Sequence, residues 1–82
     1  MSERTLLEGH LSEKRAEAHG LKTKLEGLRD AIRQNLDRHV PIETLRAHVV
    51  AGQAVDFQEA HLRYRDVLDE IADLERELGV GR

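Results

Sequence analysis

The spacing of hydrophobic residues in the first half of the chain predicts one long helix. Apolar residues recur there at alternating steps of four and three, the spacing of a coiled-coil seam. The seam positions are Leu7, Leu11, Lys14, Ala18, Leu21, Leu25, Leu28, Ile32 and Asn35. Only Lys14 and Asn35 are polar; a Lys stem can lie along apolar surface, and one Asn in a seam often sets the register. We expect helix 1 over about 5–37, with Thr5 and Glu8 forming a capping box at its start.

The second half repeats this spacing and predicts a second helix over about 42–78. Its seam positions are Val50, Gln53, Phe57, Ala60, Tyr64, Val67, Ile71, Leu74 and Leu78. Leu45 and Val49 lie off this line, which indicates a phase shift early in the helix. Gly79 can take the left-handed conformation that ends a helix, with Val80 folding back onto the last turn. We expect residues 80–82 to fray.

The chain's only proline separates the two helices. Pro41 cannot continue a helix arriving from its N-terminal side, but it suits the first residue of a new one. We therefore predict a turn over 38–41 and a single all-α domain over 1–82, an antiparallel, coiled-coil-like helical hairpin. The reversal places Leu25 and Leu28 opposite Phe57 and Ala60, although the spacing alone leaves the register open within a few residues.

Charge agrees with the antiparallel arrangement. The C-terminal third is acidic, and the hairpin brings it alongside basic residues of helix 1. Lys14 and Arg15 are expected near Asp66, Asp69 and Glu70. Exposed ion pairs are each worth less than about 1 kcal/mol, yet opposite signs help to select one alignment.

Gly52 introduces an alternative for the second half. A glycine inside a helix weakens it, and Asp56 and Glu59 could cap a fresh helix after a break. A three-helix arrangement, with a short helix over 42–51, therefore competes with a continuous helix. A kink at Gly52 is a third possibility. The uninterrupted seam spacing from Val50 to Phe57 favours continuity.

Small and apolar residues also lie on the backs of both helices, away from the seam. On helix 1 they form a stripe, and on helix 2 they are fewer and larger. The candidate oligomer interface comprises Gly9, Ala16, Gly20, Thr23, Gly27, Ala51, Val55 and Leu62. Glycine in a helix costs roughly 1 kcal/mol relative to alanine, so such a stripe favours close approach by another helix; the alternative is neutral drift on a solvated face. A two-helix hairpin buries only one seam, and we expect homodimerisation into a four-helix bundle.

Composition and charge narrow the classes of function. Aromatic residues make up 2% of the chain and charged residues 35%, which leaves little material for a globular core or a ligand pocket. The chain has no cysteine and no apolar run long enough to span a bilayer, so we expect a cytoplasmic protein without membrane association. A formal net charge of −3 argues against nucleic-acid binding, which needs a basic face.

No motif in the sequence predicts catalysis, a cofactor or a metal. The five histidines lack the Glu-x-x-His spacing of di-iron bundles, and no phosphate-binding loop or nucleophile motif occurs. We expect a non-enzymatic protein–protein interaction module, acting as an assembly, adaptor or scaffold element, with itself or an unidentified protein as partner. The alternatives are a small nucleic-acid-associated regulatory protein, such as those of phages or mobile elements, and a small metal-binding bundle.

Overall fold

A computed structural model describes residues 2–79 and shows an all-α helical hairpin. Helix α1 spans Glu3–Asn35, helix α2 spans Ala47–Leu78, and a short 3₁₀ turn at Ile42–Thr44 lies between them. The two helices run antiparallel and side by side. Their Cα atoms occupy a slab of 61 × 21 × 14 Å, two helices wide and one helix thick. Neither helix of the described segment has an apolar stretch long enough to cross a membrane.

Helix α1 begins earlier than the capping box at Thr5 predicts. Ser2 has an extended backbone and is the N-cap; its hydroxyl accepts a hydrogen bond from the Thr5 backbone N–H at 3.2 Å. The Thr5 hydroxyl lies 2.8 Å from the Ser2 hydroxyl. Glu8, the expected second member of the box, instead forms an ion pair with Arg4 at 3.1 Å. The prediction of Thr5 as the cap was wrong because Ser2 offers the same hydroxyl one turn earlier.

The connection between the helices is longer than the predicted turn over 38–41. Asp37 closes a tight turn, in which its carboxylate accepts from the His39 N–H at 2.8 Å and its carbonyl accepts from the Val40 N–H at 2.9 Å. An aspartate side chain that accepts a hydrogen bond from a backbone N–H two residues later favours a turn over continuation of the helix. Helix α1 therefore ends at Asn35 rather than at Asp37.

Helix α2 begins at Ala47 and not near 42. The Thr44 N–H and hydroxyl both donate to the Pro41 carbonyl, at 3.0 and 3.1 Å, which closes a 3₁₀ turn. Leu45 then has an extended backbone, and the first carbonyl to accept helical hydrogen bonds is that of Arg46. The prediction failed because a threonine hydroxyl competes with the backbone for the acceptor that a helix needs.

From Ala47 onward, α2 is continuous through Gly52 to Leu78, so residues 42–51 do not form a separate short helix. The helix closes as predicted at Gly79. This residue has φ +73°, in the left-handed region, and its N–H points back to the carbonyls of Glu75 and Arg76. The expected fold-back of Val80 and the fraying of residues 80–82 lie outside the described residues.

The core is a narrow strip between the helices. The buried hydrophobic residues are Leu11, Ala18, Leu25, Ala60, Val67 and Leu78. Among residues 2–79, only Val67 is completely inaccessible, and it lies in the C-terminal half of α2. A two-helix slab has one interface, so the other seam residues keep part of their surface in water.

Candidate interaction surface

Every predicted seam residue is buried or half-buried in the hairpin. The apolar members are Leu7, Leu11, Leu21, Leu25, Leu28, Ile32, Val50, Phe57, Ala60, Tyr64, Val67, Ile71, Leu74 and Leu78. Leu7 and Leu11 both lie beside Leu78 at the open end, and Leu25 lies beside Phe57 nearer the turn. The seam therefore joins the two helices, and any further interaction must use its flanks or the outer edges of the hairpin.

Polar members of the seam pair with each other near the turn. The Asn35 side-chain amide donates a hydrogen bond to Gln53 Oε1 at 2.9 Å, in a half-buried position. A one-residue slip of either helix would separate these two side chains and leave them without their partner. The pair therefore favours one register, the role expected for a polar residue in a seam.

A network of four charged side chains crosses the middle of the hairpin. Lys14 Nζ lies 2.8 Å from Glu70 Oε2 and 3.6 Å from Glu17 Oε1. Arg63 donates two hydrogen bonds to the Glu17 carboxylate, from Nε at 2.7 Å and from Nη2 at 3.0 Å. This forked geometry is the strong form of an arginine–carboxylate contact.

The network shifts the pKa values of Glu17 and Lys14. The hydrogen bonds from Arg63 hold the pKa of the Glu17 carboxyl below its ordinary value. The hydrogen bond to Glu70 raises the pKa of Lys14. The four side chains remain 30–44% exposed, so solvent screens their attraction. We assign the network a role in orienting the helices rather than a large share of stability.

Arg15 does not join this network, although the sequence places it near Asp66, Asp69 and Glu70. It forms an ion pair with Glu75 at 2.9 Å, on the other flank of the seam. Successive residues of a helix point about 100° apart, so Lys14 and Arg15 leave α1 in different directions. Only Lys14 reaches the Glu70 side.

The residues of the candidate oligomer interface are all exposed, but they do not form one patch. Gly9, Ala16 and Thr23 lie on the outer edge of α1, whereas Val55 and Leu62 lie on the outer edge of α2, which points the opposite way. Val55 is 54% exposed and Leu62 58% exposed. The Thr23 hydroxyl donates to the His19 carbonyl at 3.1 Å, so its polar group is already satisfied.

The other three members turn toward the broad faces of the slab. Gly20 and Gly27 turn toward the flank of the Glu17–Arg63 pair, and Ala51 turns toward the flank of the Arg15–Glu75 pair. A methyl group at Gly20 or Gly27 would meet no atom within 4 Å beyond its own helical turn. Packing within the hairpin therefore does not explain these glycines.

The two flanks of the seam form broad faces of opposite charge. The basic face, on the side of the Arg15–Glu75 pair, carries exposed basic residues at helical spacing: Arg15, Lys22, Arg29, Arg33 and Arg65. The acidic face, on the side of the Glu17–Arg63 pair, carries a stripe along α2: Asp56, Glu59, Asp66, Glu70, Asp73 and Glu77. Sequence reasoning missed this division because it counted charge along the chain and not around each helix. Steps of three and four among the acids of α2 were the available signal.

The basic face contains a shallow groove of about 220 Å³ between the helices. Its walls are formed by side chains from both helices: Lys22, Leu25, Glu26, Arg29, Phe57, His61 and Tyr64. The rings of Phe57 and His61 stack with parallel planes and centroids 6.4 Å apart. Both aromatic residues of the chain therefore line one groove, with cationic groups beside them.

The histidines do not form a metal centre in the described part of the chain. Among residues 2–79, no three His, Asp or Glu side chains come close enough together to hold a metal ion. His61 instead packs on Phe57, as an aromatic ring in the groove wall.

Comparison with known proteins gives no relative: the chain matches no protein-family model, no curated protein and no solved structure. The class that the geometry defines is an all-α helical hairpin.

Proposed function

We propose that this chain is a non-enzymatic protein–protein interaction module that self-associates and serves as an assembly, adaptor or scaffold element. Recognition would take place through packed helix faces, with charged flanks selecting the orientation. In a four-helix bundle, two hairpins would stack broad face to broad face. Gly20 and Gly27 would lie in such a contact, and Val55 and Leu62 would lie at its rim.

The observation that carries this proposal is the set of six large apolar side chains that are exposed outside the seam. Val55 and Leu62 are more than half exposed and lie two helical turns apart on one edge. Leu6, Leu36, Ile42 and Leu68 are also exposed, by 41–80%. A slab one helix thick cannot bury these side chains itself, whereas a second copy can cover them.

Mass measurements test the self-association directly. We expect at least a dimer at micromolar concentration by light scattering coupled to gel filtration, and a melting temperature that rises with protein concentration. A fully helical species that stays monomeric at every concentration would refute the proposal. Val55→Ser with Leu62→Ser should weaken association, whereas Asp69→Ser, at an exposed polar position on the same outer edge of α2, serves as the matched control.

Alanine substitutions at Gly20 and Gly27 test whether another helix packs closely against this face. Gly20→Ala with Gly27→Ala fits the isolated hairpin, because both positions face open space. The double variant should raise the helix stability of the monomer, by up to roughly 1 kcal/mol per site. If another helix packs closely there, the same variant should also raise the dissociation constant in sedimentation equilibrium. Unchanged or tighter association would mean that these glycines face solvent in the assembly.

A further inference from the structure

We propose that the groove on the basic face is the docking site for the acidic face of a second copy of this chain. The inference rests on the proposed self-association and names the two surfaces that meet. Lys22 and Arg29 would stand beside carboxylates of the neighbouring α2, while Phe57 and Tyr64 supply the apolar floor. The hairpins would then stack broad face on broad face.

The size of the groove favours a protein surface as its occupant. Ligand pockets for small molecules usually enclose about 300–1,000 Å³, and this groove is smaller, shallow and open along its length. It can seat one or two side chains projecting from a helix. Its walls include Phe57, Tyr64 and Arg29, residue types that are enriched in protein interfaces.

Charge complementarity identifies the second copy as that occupant. The acidic stripe covers residues 56–77 of α2 and contains Arg63, and Lys24 of α1 lies on the same flank, two helical turns after Glu17. Asp56, Glu59 and Asp66 are exposed, while Glu70 and Asp73 already bind Lys14 and Arg76. Glu26 in the groove wall opposes the attraction, but Lys22 and Arg29 lie on both sides of it.

The acidic face also offers the space that close approach requires. Gly20 and Gly27 border it on α1, and Gly52 borders it on α2; a methyl group at any of the three would meet only open space. The acidic face also carries long side chains, such as Glu59 and Arg63, and the glycines leave gaps between them. Long side chains of the basic face of the next copy would occupy these gaps.

The two surfaces lie on opposite sides of the slab, and this fixes the symmetry of the contact. One copy uses its groove and the next uses its acidic face, so the contact is heterologous and two copies cannot satisfy each other completely. Association should therefore continue beyond the dimer as concentration rises. It should weaken with added salt, because the attraction between exposed charges is screened.

A charge-swap experiment tests the pairing of these surfaces. Lys22→Glu with Arg29→Glu makes the groove negative, like the acidic face, and Glu59→Lys with Asp66→Lys makes the part of the acidic face around Arg63 positive, like the groove. All four side chains are exposed, so circular dichroism should show an intact hairpin in each variant. Each variant alone should associate about tenfold more weakly or worse, because like charges then face each other. An equal mixture of the two should recover the association of the wild type, since every groove then meets an oppositely charged face.

Sedimentation velocity of the variants and their mixture distinguishes the possible results. If the wild type is monomeric, the proposed function fails and this docking site with it. If the wild type associates and either variant associates equally well, or the mixture fails to recover, the docking site alone is wrong. A short fluorescent DNA duplex provides the third arm. Binding that Lys22→Glu with Arg29→Glu abolishes, with self-association unchanged, would show that the groove serves nucleic acid and would overturn the proposal.

Discussion

Truncation of Leu25 to alanine should destabilise the hairpin more than the same truncation on its outer surface. Leu25 is 8% exposed and packs beside Phe57 in the strip between the helices. The change removes three carbon atoms, worth about 0.8 kcal/mol each, so the transfer term is about 2.4 kcal/mol. The site borders an open groove, and water or a neighbouring side chain can fill the space, which keeps the cavity term small. We expect a loss of about 2–3 kcal/mol in the free energy of unfolding.

Leu62→Ala is the matched control, because it makes the same chemical change on the outer edge of α2. Leu62 is 58% exposed, so less than half of the same transfer term applies, about 1 kcal/mol. Both variants should be unfolded with urea and followed by circular dichroism, at dilutions where the midpoint no longer depends on protein concentration. Under those conditions, a cost at Leu62 equal to or above that at Leu25 would refute the placement of the seam. At higher concentrations the effect of Leu62→Ala should grow if association covers this residue.

Further substitutions address the caps, the polar pair and the charge network. Gly52→Ala should stabilise α2 by up to about 1 kcal/mol, whereas Gly79→Ala should cost about 1 kcal/mol because φ there is +73°; thermal melts compare them. Asn35→Ala and Gln53→Ala should show a coupling of about 0.5–1.5 kcal/mol in a double-mutant cycle, and additivity would contradict their hydrogen bond. The pKa of Glu17 is lowered in the folded hairpin, so its contribution to stability is present above the unfolded pKa and is lost as pH falls through the folded one. Melts between about pH 6 and pH 3 should therefore show less acid sensitivity in Glu17→Gln than in the wild type.

The hairpin itself could be predicted from the sequence because one physical constraint repeats along it. Each apolar residue at a step of three or four must face the same side of a helix, and many such steps agree before Pro41 and after it. The end of α2 at Gly79 could also be predicted, because a left-handed residue at a helix end favours glycine. The continuity of α2 through Gly52 followed from the same repeat, which outweighs the cost of one glycine.

The ends of the helices were less predictable because single hydrogen bonds decide them. Ser2 and Thr5 both have hydroxyls that can cap, and only the observed bond from Thr5 N–H to Ser2 shows which one does. Thr44 similarly diverts the Pro41 carbonyl, and α2 starts later as a result. Such competitions involve about 1 kcal/mol each, too little for a spacing rule to resolve.

The candidate surface was predicted only in part, for a geometric reason. The seam spacing identifies which residues point away from the partner helix, and Val55 and Leu62 are indeed exposed. The seam spacing does not show that the backs of two adjacent helices face opposite directions. The groove beside Phe57 required knowledge of the register, because Lys22 and His61 become neighbours only in the folded hairpin.

The Asn35–Gln53 contact near the turn has a kinetic consequence. It joins residues 18 apart in the chain, whereas the Arg15–Glu75 contact at the other end joins residues 60 apart. Closing the longer loop first would cost about 1 kcal/mol more in chain entropy, so the hairpin should zip from the turn toward its open end. Substitutions near Asn35 should then slow refolding, while substitutions near Leu11 and Leu78 should chiefly accelerate unfolding.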